Sequence, residues 1–269
     1  MAIGAKNGRV KIDGTCMEYV TFGRGKRNLI LIPGIGDGLK TVKGMAIPFA
    51  FLYRQYAKKF KVYIFSRKQK LEKGCTTRRM AKDLAAAMKG LGIRRAEVIG
   101  ISQGGMIAQF LAMDSPALVN KLVLVSTAAK AGPKIKRRAA CWLKLAEERR
   151  FEALMVDIVE RMYSASYVKR YGWLCPIAGK LLSGADRERF CIMARACMTH
   201  NALAGLNKIK ARTLVIGAAK DRVVGVRGTK ELVKGIQDSK LILYKNGEHG
   251  VYDEAAGFHQ RVIRFLLAP

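Results

Sequence analysis

Acidic side chains are scarce in this chain. Twenty Asp and Glu stand against fifty Lys and Arg, a formal charge of +30 over 269 residues. Histidine is scarcer still, with three residues, so any imidazole chemistry has few candidates. The six cysteines, at 16, 75, 141, 175, 191 and 197, form no CxxC pair and no Cys/His cluster of zinc-ligand spacing. That pattern argues against a disulfide framework and a metal centre and for free thiols; no cofactor is expected. No apolar run approaches the ~20 residues of a membrane span, and the most apolar stretch near the front, Met45 to Tyr53, is broken by Pro48. The first residues carry Lys6 and Arg9 without an apolar run, so no secretory signal is read and a cytoplasmic location is expected. No repeat or low-complexity segment is present.

Half of the residues are apolar, enough to bury a large core and to exclude a disordered chain. The basic excess is spread: net +16 over residues 1–129, +10 over 130–210 and +4 over 211–269. Such a chain attracts polyanions non-specifically. It carries no zinc finger, RNP-like strand or compact arginine motif, so no specific nucleic-acid partner is expected, and the excess reads as a solvated basic surface.

Short apolar runs alternate with helical patterns, the mark of an α/β fold with a mostly parallel sheet. A hairpin is expected about Asp13-Gly14, with further strands at 29–32, 62–65, 98–101, 122–125, 214–216 and 241–244. Helices are expected from Thr76 or Thr77 to Lys89, over Gly104–Met113 and Thr229–Gly235, and as one final helix, Glu254–Leu267. Between Lys130 and His200 no strand pattern appears, only helical segments at 140–145, 151–162, 167–182 and 187–198. The expected organisation is a core of residues 1–129 and 201–269 with a helical cap inserted at 130–200. Pro133 to Arg138 reads as a solvated, basic hinge into that cap.

The chemistry concentrates at Gly100-Ile101-Ser102-Gln103-Gly104, a G-x-S-x-G pentapeptide between a buried strand pattern and a helical one. A sharp strand-to-helix turn strains the nucleophile's backbone and needs small neighbours, which Gly100, Gly104 and Gly105 supply. The helix N-terminus favours negative charge developing beside Ser102.

From Val98 to Val125 the chain resembles the nucleophile strand, helix and following strand of the alpha/beta-hydrolase family, and the resemblance extends over nearly its whole length. It implies an eight-stranded, mostly parallel sheet and a triad in the order Ser, acid, His. His249, just after the strand at 241–244, stands where the family carries its base; His259 reads as a packing or surface residue and His200 as a helix-end residue. Asp221, in Gly217-Ala218-Ala219-Lys220-Asp221, resembles the family's acid, which orients the imidazole. The loop Pro33-Gly34-Ile35-Gly36-Asp37-Gly38 matches the oxyanion loop, with Pro33 where the family usually has His. Backbone N–H groups of Ile35 and Gln103 are the implied oxyanion donors, and Asp37 reads as a turn residue. In the turn after β-strand 62–65 only Arg67 matches the family.

The implied activity is hydrolysis of a carboxylic ester or related acyl compound, thioester, lactone, carbon–carbon and perhydrolase chemistry included. The expected partner is a small-molecule ester with an apolar portion, because the cap carries Trp142, Met155, Met162, Tyr163, Tyr167, Tyr171, Trp173 and Met198; most of these are expected to hold the cap together. The competing reading is a non-catalytic ligand receptor, or a basic nucleic-acid- or membrane-binding protein, on the same fold.

Overall fold

The computed structural model describes residues 4–182 and 186–269. Strands β1 (Lys6–Ile12) and β2 (Thr15–Phe22) form the hairpin, turning at Asp13 and Gly14, both with positive φ. Then come β3 (Arg27–Ile32), helices α1 (Ala46–Leu52) and α2 (Arg54–Ala57), β4 (Phe60–Lys68), α3 (Thr77–Gly90), β5 (Ala96–Ile101), α4 (Gln103–Asp114) and β6 (Val119–Val125). Five helices follow without a strand: α5 (Pro133–Glu147), α6 (Phe151–Met162), α7 (Ala165–Tyr171), α8 (Cys175–Leu181) and α9 (Arg187–Thr199). The chain closes with β7 (Arg212–Ala218), α10 (Val226–Gly235), β8 (Ser239–Tyr244), α11 (Val251–Glu254) and α12 (Phe258–Leu267).

The eight strands form one sheet in the order β1-β2-β4-β3-β5-β6-β7-β8, antiparallel only where β2 meets β1 and β4. Strands β3 to β6 are almost wholly buried, as expected where helices cover both faces of a parallel sheet. One apolar cluster joins α3, α4 and α9 to one face; a second joins α12 and the α1–α2 segment to the other. Chain direction across the sheet reverses about β3 and β5, which pair with Ile32 opposite Gly100. The segments leaving their carboxyl ends therefore emerge side by side, and a ligand crevice belongs at such a point.

Several expected boundaries are corrected. The final helix is two, because Gly257 takes φ 71° between them, a left-handed conformation that glycine tolerates. The segment 167–182 is likewise two helices joined by a 3-10 turn. Pro133 to Arg138 is solvated at Pro133, Lys134, Lys136 and Arg137, as expected, but forms the first turns of α5, with Ile135 buried; proline is well suited to a first helical turn.

Both ends of the helical segment between β6 and β7 are fastened to each other. Lys130 and Asn201 form a β-bridge, Ala131 N donates to His200 O and Ala202 N to Ala129 O. His200 follows the end of α9, buried, with Nδ1 2.9 Å from the Thr77 hydroxyl and Nε2 without a partner among the described residues. Burial pulls its pKa from 6.5 down to about 4, against a weaker backbone contact at Ala128. Between those two values the unfolded chain takes up a proton that the folded chain refuses. Stability should thus fall as pH is lowered through that window, by up to about 3 kcal/mol. His200→Gln removes the titration, and urea midpoints measured between about pH 7 and about pH 4.5 should vary less for it than for wild type.

Candidate active site

Ser102 closes the turn between β5 and α4 at φ 52°, ψ −117°, a conformation that costs a residue with a Cβ of order 1–3 kcal/mol. The turn is tight enough that a Cβ on Gly104 would lie 2.0 Å from Ile32 O, and one on Gly100 2.6 Å from Gly104 O. A Cβ on Gly105 would meet the Thr127 side chain at 2.6 Å. These three glycines are required by space. Gly34 and Gly36 are not: a Cβ would make ordinary contact with Ser102 at Gly34 and would meet nothing at Gly36.

The loop after β3 lies against Ser102, and Ile35 opens a 3-10 turn, Ile35–Gly38, just as Gln103 opens α4. The first amide of a helix has no acceptor within it. Among the described residues neither amide donates to a backbone oxygen outside its helix. Two helix starts thus bring unused N–H groups beside the one hydroxyl.

On the other side, Asp221 Oδ2 lies 2.9 Å from His249 Nδ1, both residues buried. Asp221 Oδ1 accepts from the Val223 and Val224 amides, each at 2.8 Å. Burial pushes the Asp221 carboxyl up, but the adjacent His249 and those amides outweigh it and hold it below the usual carboxylate range. With Nδ1 engaged, Nε2 is the imidazole nitrogen left for a substrate or a hydroxyl. Among the described residues no hydrogen bond joins it to Ser102 Oγ, although both residues line one cavity; such bonds often tighten only when substrate is bound. Sequence reasoning missed Ser126, whose hydroxyl donates to His249 O at 2.8 Å and pins the loop. A serine directly after β6 was the available signal. Glu248, next to the imidazole in sequence, pairs with Arg222 at 3.2 Å, and His259 packs against the Tyr56 hydroxyl.

That cavity measures about 380 Å³ and is walled by Met45 and Phe49 of α1, Trp142 of α5, and Met155, Ile158, Val159 and Met162 of α6, with Tyr163 and Tyr252. Trp142, Met155, Met162 and Tyr163 are therefore wall residues; Tyr167, Tyr171, Trp173 and Met198 are not among them. A larger cavity, about 550 Å³, lies at the base of the insertion between Lys130–Lys136 and Val224–Glu231 and includes neither Ser102 nor His249.

Asp37 lies in the 3-10 turn Ile35–Gly38, as expected, but its side chain does more than form that turn. Its carboxylate is buried and accepts from Arg67 N at 3.0 Å and from Arg189 Nη2 at 2.6 Å. Arg189, from α9, also donates to the carbonyls of Asp37, Arg67 and Lys68. Arg67 Nη2 in turn donates to Pro33 O at 2.6 Å and to Gln103 Oε1 at 3.2 Å, and Gln103 Nε2 to Met193 O at 2.7 Å. Burial brings the Arg67 guanidinium down to about 10, with Asp37 opposing and Arg189 reinforcing. One polar network thus ties the loop after β3, the residue after Ser102 and α9 together.

The doubly flanked sheet, the strained serine at its centre and the aspartate–imidazole pair behind it define a protein of the alpha/beta-hydrolase fold. The model of the family described as serine aminopeptidase, S33, matches residues 76–256, and the chain belongs to the alpha/beta-hydrolase family. It is 26% identical over 198 residues to RutD of Rhizobium rhizogenes, a protein named as a candidate carbamate hydrolase, spanning 70% of this chain and 73% of that one. Among solved structures it is similar to MGS-M2, an alpha/beta hydrolase from a Medee basin deep-sea metagenome library, with TM-score 0.85 and 20% identity over 97% of this chain and 98% of that one. The enol-lactonase from Burkholderia xenovorans LB400 superposes with TM-score 0.81 and 20% identity, over 97% of this chain and 100% of that one. These relatives support hydrolytic activity, and the two structural likenesses support the fold.

Proposed function

We propose that the protein is a serine hydrolase cleaving a carboxylic ester, or a related acyl compound, with an apolar portion, and that residues 130–200 serve as the cap over its site. Ser102 attacks the carbonyl carbon. His249 takes the hydroxyl proton through Nε2 and delivers it to the leaving alcohol. Asp221 holds the imidazole in the needed tautomer and stabilises its cation. Ile35 and Gln103 amides receive the oxyanion, and water activated by His249 releases the acid. The observation that carries this reading is the strained Ser102 in the same cavity as His249, itself hydrogen-bonded to buried Asp221.

The cavity wall favours an ester over a peptide with a free amino terminus. Holding an α-ammonium requires an available carboxylate. Among the described residues Asp37 is the only acidic residue lining the cavity; Arg67 and Arg189 engage its Oδ2, and its Oδ1, without a hydrogen-bond partner, is buried. Carbamate and lactone carbonyls, named for the relatives, pass through the same tetrahedral chemistry and are tested alongside esters.

A fluorophosphonate probe should label the wild type and fail to label Ser102→Ala; labelling that survives this change refutes the site, and an unlabelled wild type favours a non-catalytic receptor. Hydrolysis of p-nitrophenyl esters should rise with acyl length until the cavity is filled. Asp221→Asn keeps the shape of the pair but favours the wrong tautomer, and kcat should drop about 10⁴-fold with KM little changed.

A further inference from the structure

Among the described residues, every large apolar side chain more than half exposed lies in one of two segments. Ile47 (67%), Phe51 (71%) and Leu52 (51%) belong to α1; Trp173 (67%), Ile177 (51%) and Leu181 (82%) belong to the α7–α8 region of the insertion. The other exposed apolar residues outside these segments, such as Leu203 and Leu241, stand singly, as surface residues ordinarily do.

Helix α1 reads Ala-Ile-Pro-Phe-Ala-Phe-Leu, without a polar side chain. Ala46 and Ala50 face the core, Met45 and Phe49 line the cavity of Ser102, and Ile47 and Phe51 face outward. A helix apolar on every side needs an apolar surrounding on every side. On α8, Cys175 and Gly179 are buried, Gly179 against the backbone of Glu152 in α6, while Ile177 and Leu181 repeat one turn apart on the outer face.

Along the chain the charges flanking both segments have one sign, although Glu160 of α6 acts on Cys175 and Asp253 on Tyr167 across the fold. No acidic residue occurs from 38 to 71 or from 161 to 185. Lys40, Lys43, Arg54, Lys58, Lys169 and Lys180 are exposed there. Two of the basic groups lie over aromatic rings of the patches, Arg54 at 4.9 Å from the Phe51 centroid and Arg170 at 5.3 Å from that of Tyr171. Exposed apolar and aromatic side chains flanked along the chain by exposed cations match the boundary between acyl chains and anionic headgroups. A second copy of this chain would bring like charges together.

We propose that α1 and the α7–α8 segment dock the protein on an anionic lipid surface, α1 seating one wall of the Ser102 cavity at the acyl boundary. Docking stands apart from the ester-hydrolase reading, so Ser102→Ala must bind vesicles as wild type does. It predicts where a substrate is met: in the bilayer, with its apolar portion passing along α1.

The test uses the full chain with sedimented vesicles, either phosphatidylcholine alone or phosphatidylcholine with about a third phosphatidylglycerol. Ile47→Ser/Phe51→Ser alters neither the net charge nor a cavity residue. Its affinity for the mixed vesicles should fall roughly a hundred-fold. Trp173 is exposed while Trp142 is buried, so mixed vesicles should blue-shift the fluorescence of the wild type and leave that of Trp173→Phe unshifted. Equal binding of the serine double variant and wild type would show attraction by bulk charge alone and overturn the proposal. So would failure to bind mixed vesicles, or a concentration-dependent dimer that the same double variant dissolves.

Discussion

Ser102→Gly should make the protein more stable and inactive at once. The backbone at 102 holds φ 52°, where any residue with a Cβ is strained by of order 1–3 kcal/mol. Glycine removes that strain and returns about 0.5–1 kcal/mol of it as lost chain entropy. A net gain of about 1 kcal/mol is expected, read as a higher midpoint in urea. Ser102→Ala keeps the strain and should match wild-type stability. Both variants should lose turnover of p-nitrophenyl esters by about 10⁴- to 10⁶-fold. A glycine variant less stable than the alanine one would show that the turn is relaxed, and the argument for a pre-positioned hydroxyl would go with it.

How much of this was legible in the sequence depends on how far apart the determining residues lie. The turn at Ser102 was readable because its signals are contiguous: a buried strand, three crowded glycines and a helix fall within about ten residues. The Asp221–His249 pair, 28 residues apart, was readable because each residue follows its own apolar strand. Asp37 was not. A lone aspartate among glycines looks like turn chemistry, whereas its partners Arg67 and Arg189 lie 30 and 152 residues away. Arg67 stood out only by resemblance, and no local pattern ties either arginine to Asp37 in so basic a chain. Helix α1 escaped for a related reason. Its residues show neither the 3.6-residue alternation of a half-buried helix nor the length of a spanning one, and the cavity wall accounts only for Met45 and Phe49.

The Asp37 network sets the second large expectation. Arg189→Met removes four donated hydrogen bonds and leaves Asp37 to Arg67 alone. Breaking one partner of a buried ion pair costs about 3–5 kcal/mol, so a large fall in stability is expected. The more telling readout is catalytic. Arg189 borders neither Ser102 nor the cavity. Yet it fixes the carbonyl and carboxylate of Asp37, two residues beyond the Ile35 amide, and Arg67 then carries that order to Pro33 and Gln103. If the Ile35 amide serves as proposed, loosening one such donor costs about 10²–10³ in kcat, and the loss should fall on kcat, with KM nearly unchanged, because the apolar wall contributed by α1 and α6 is untouched. Arg189→Lys restores the charge without the planar set of donors and should recover stability in part but little of kcat. Asp37→Asn in the Arg189→Met background should cost much less than on its own, since the carboxylate is then already half-deserted. If Arg189→Met lowers stability and leaves kcat intact, α9 is only a strut, and the oxyanion donors keep their places without it.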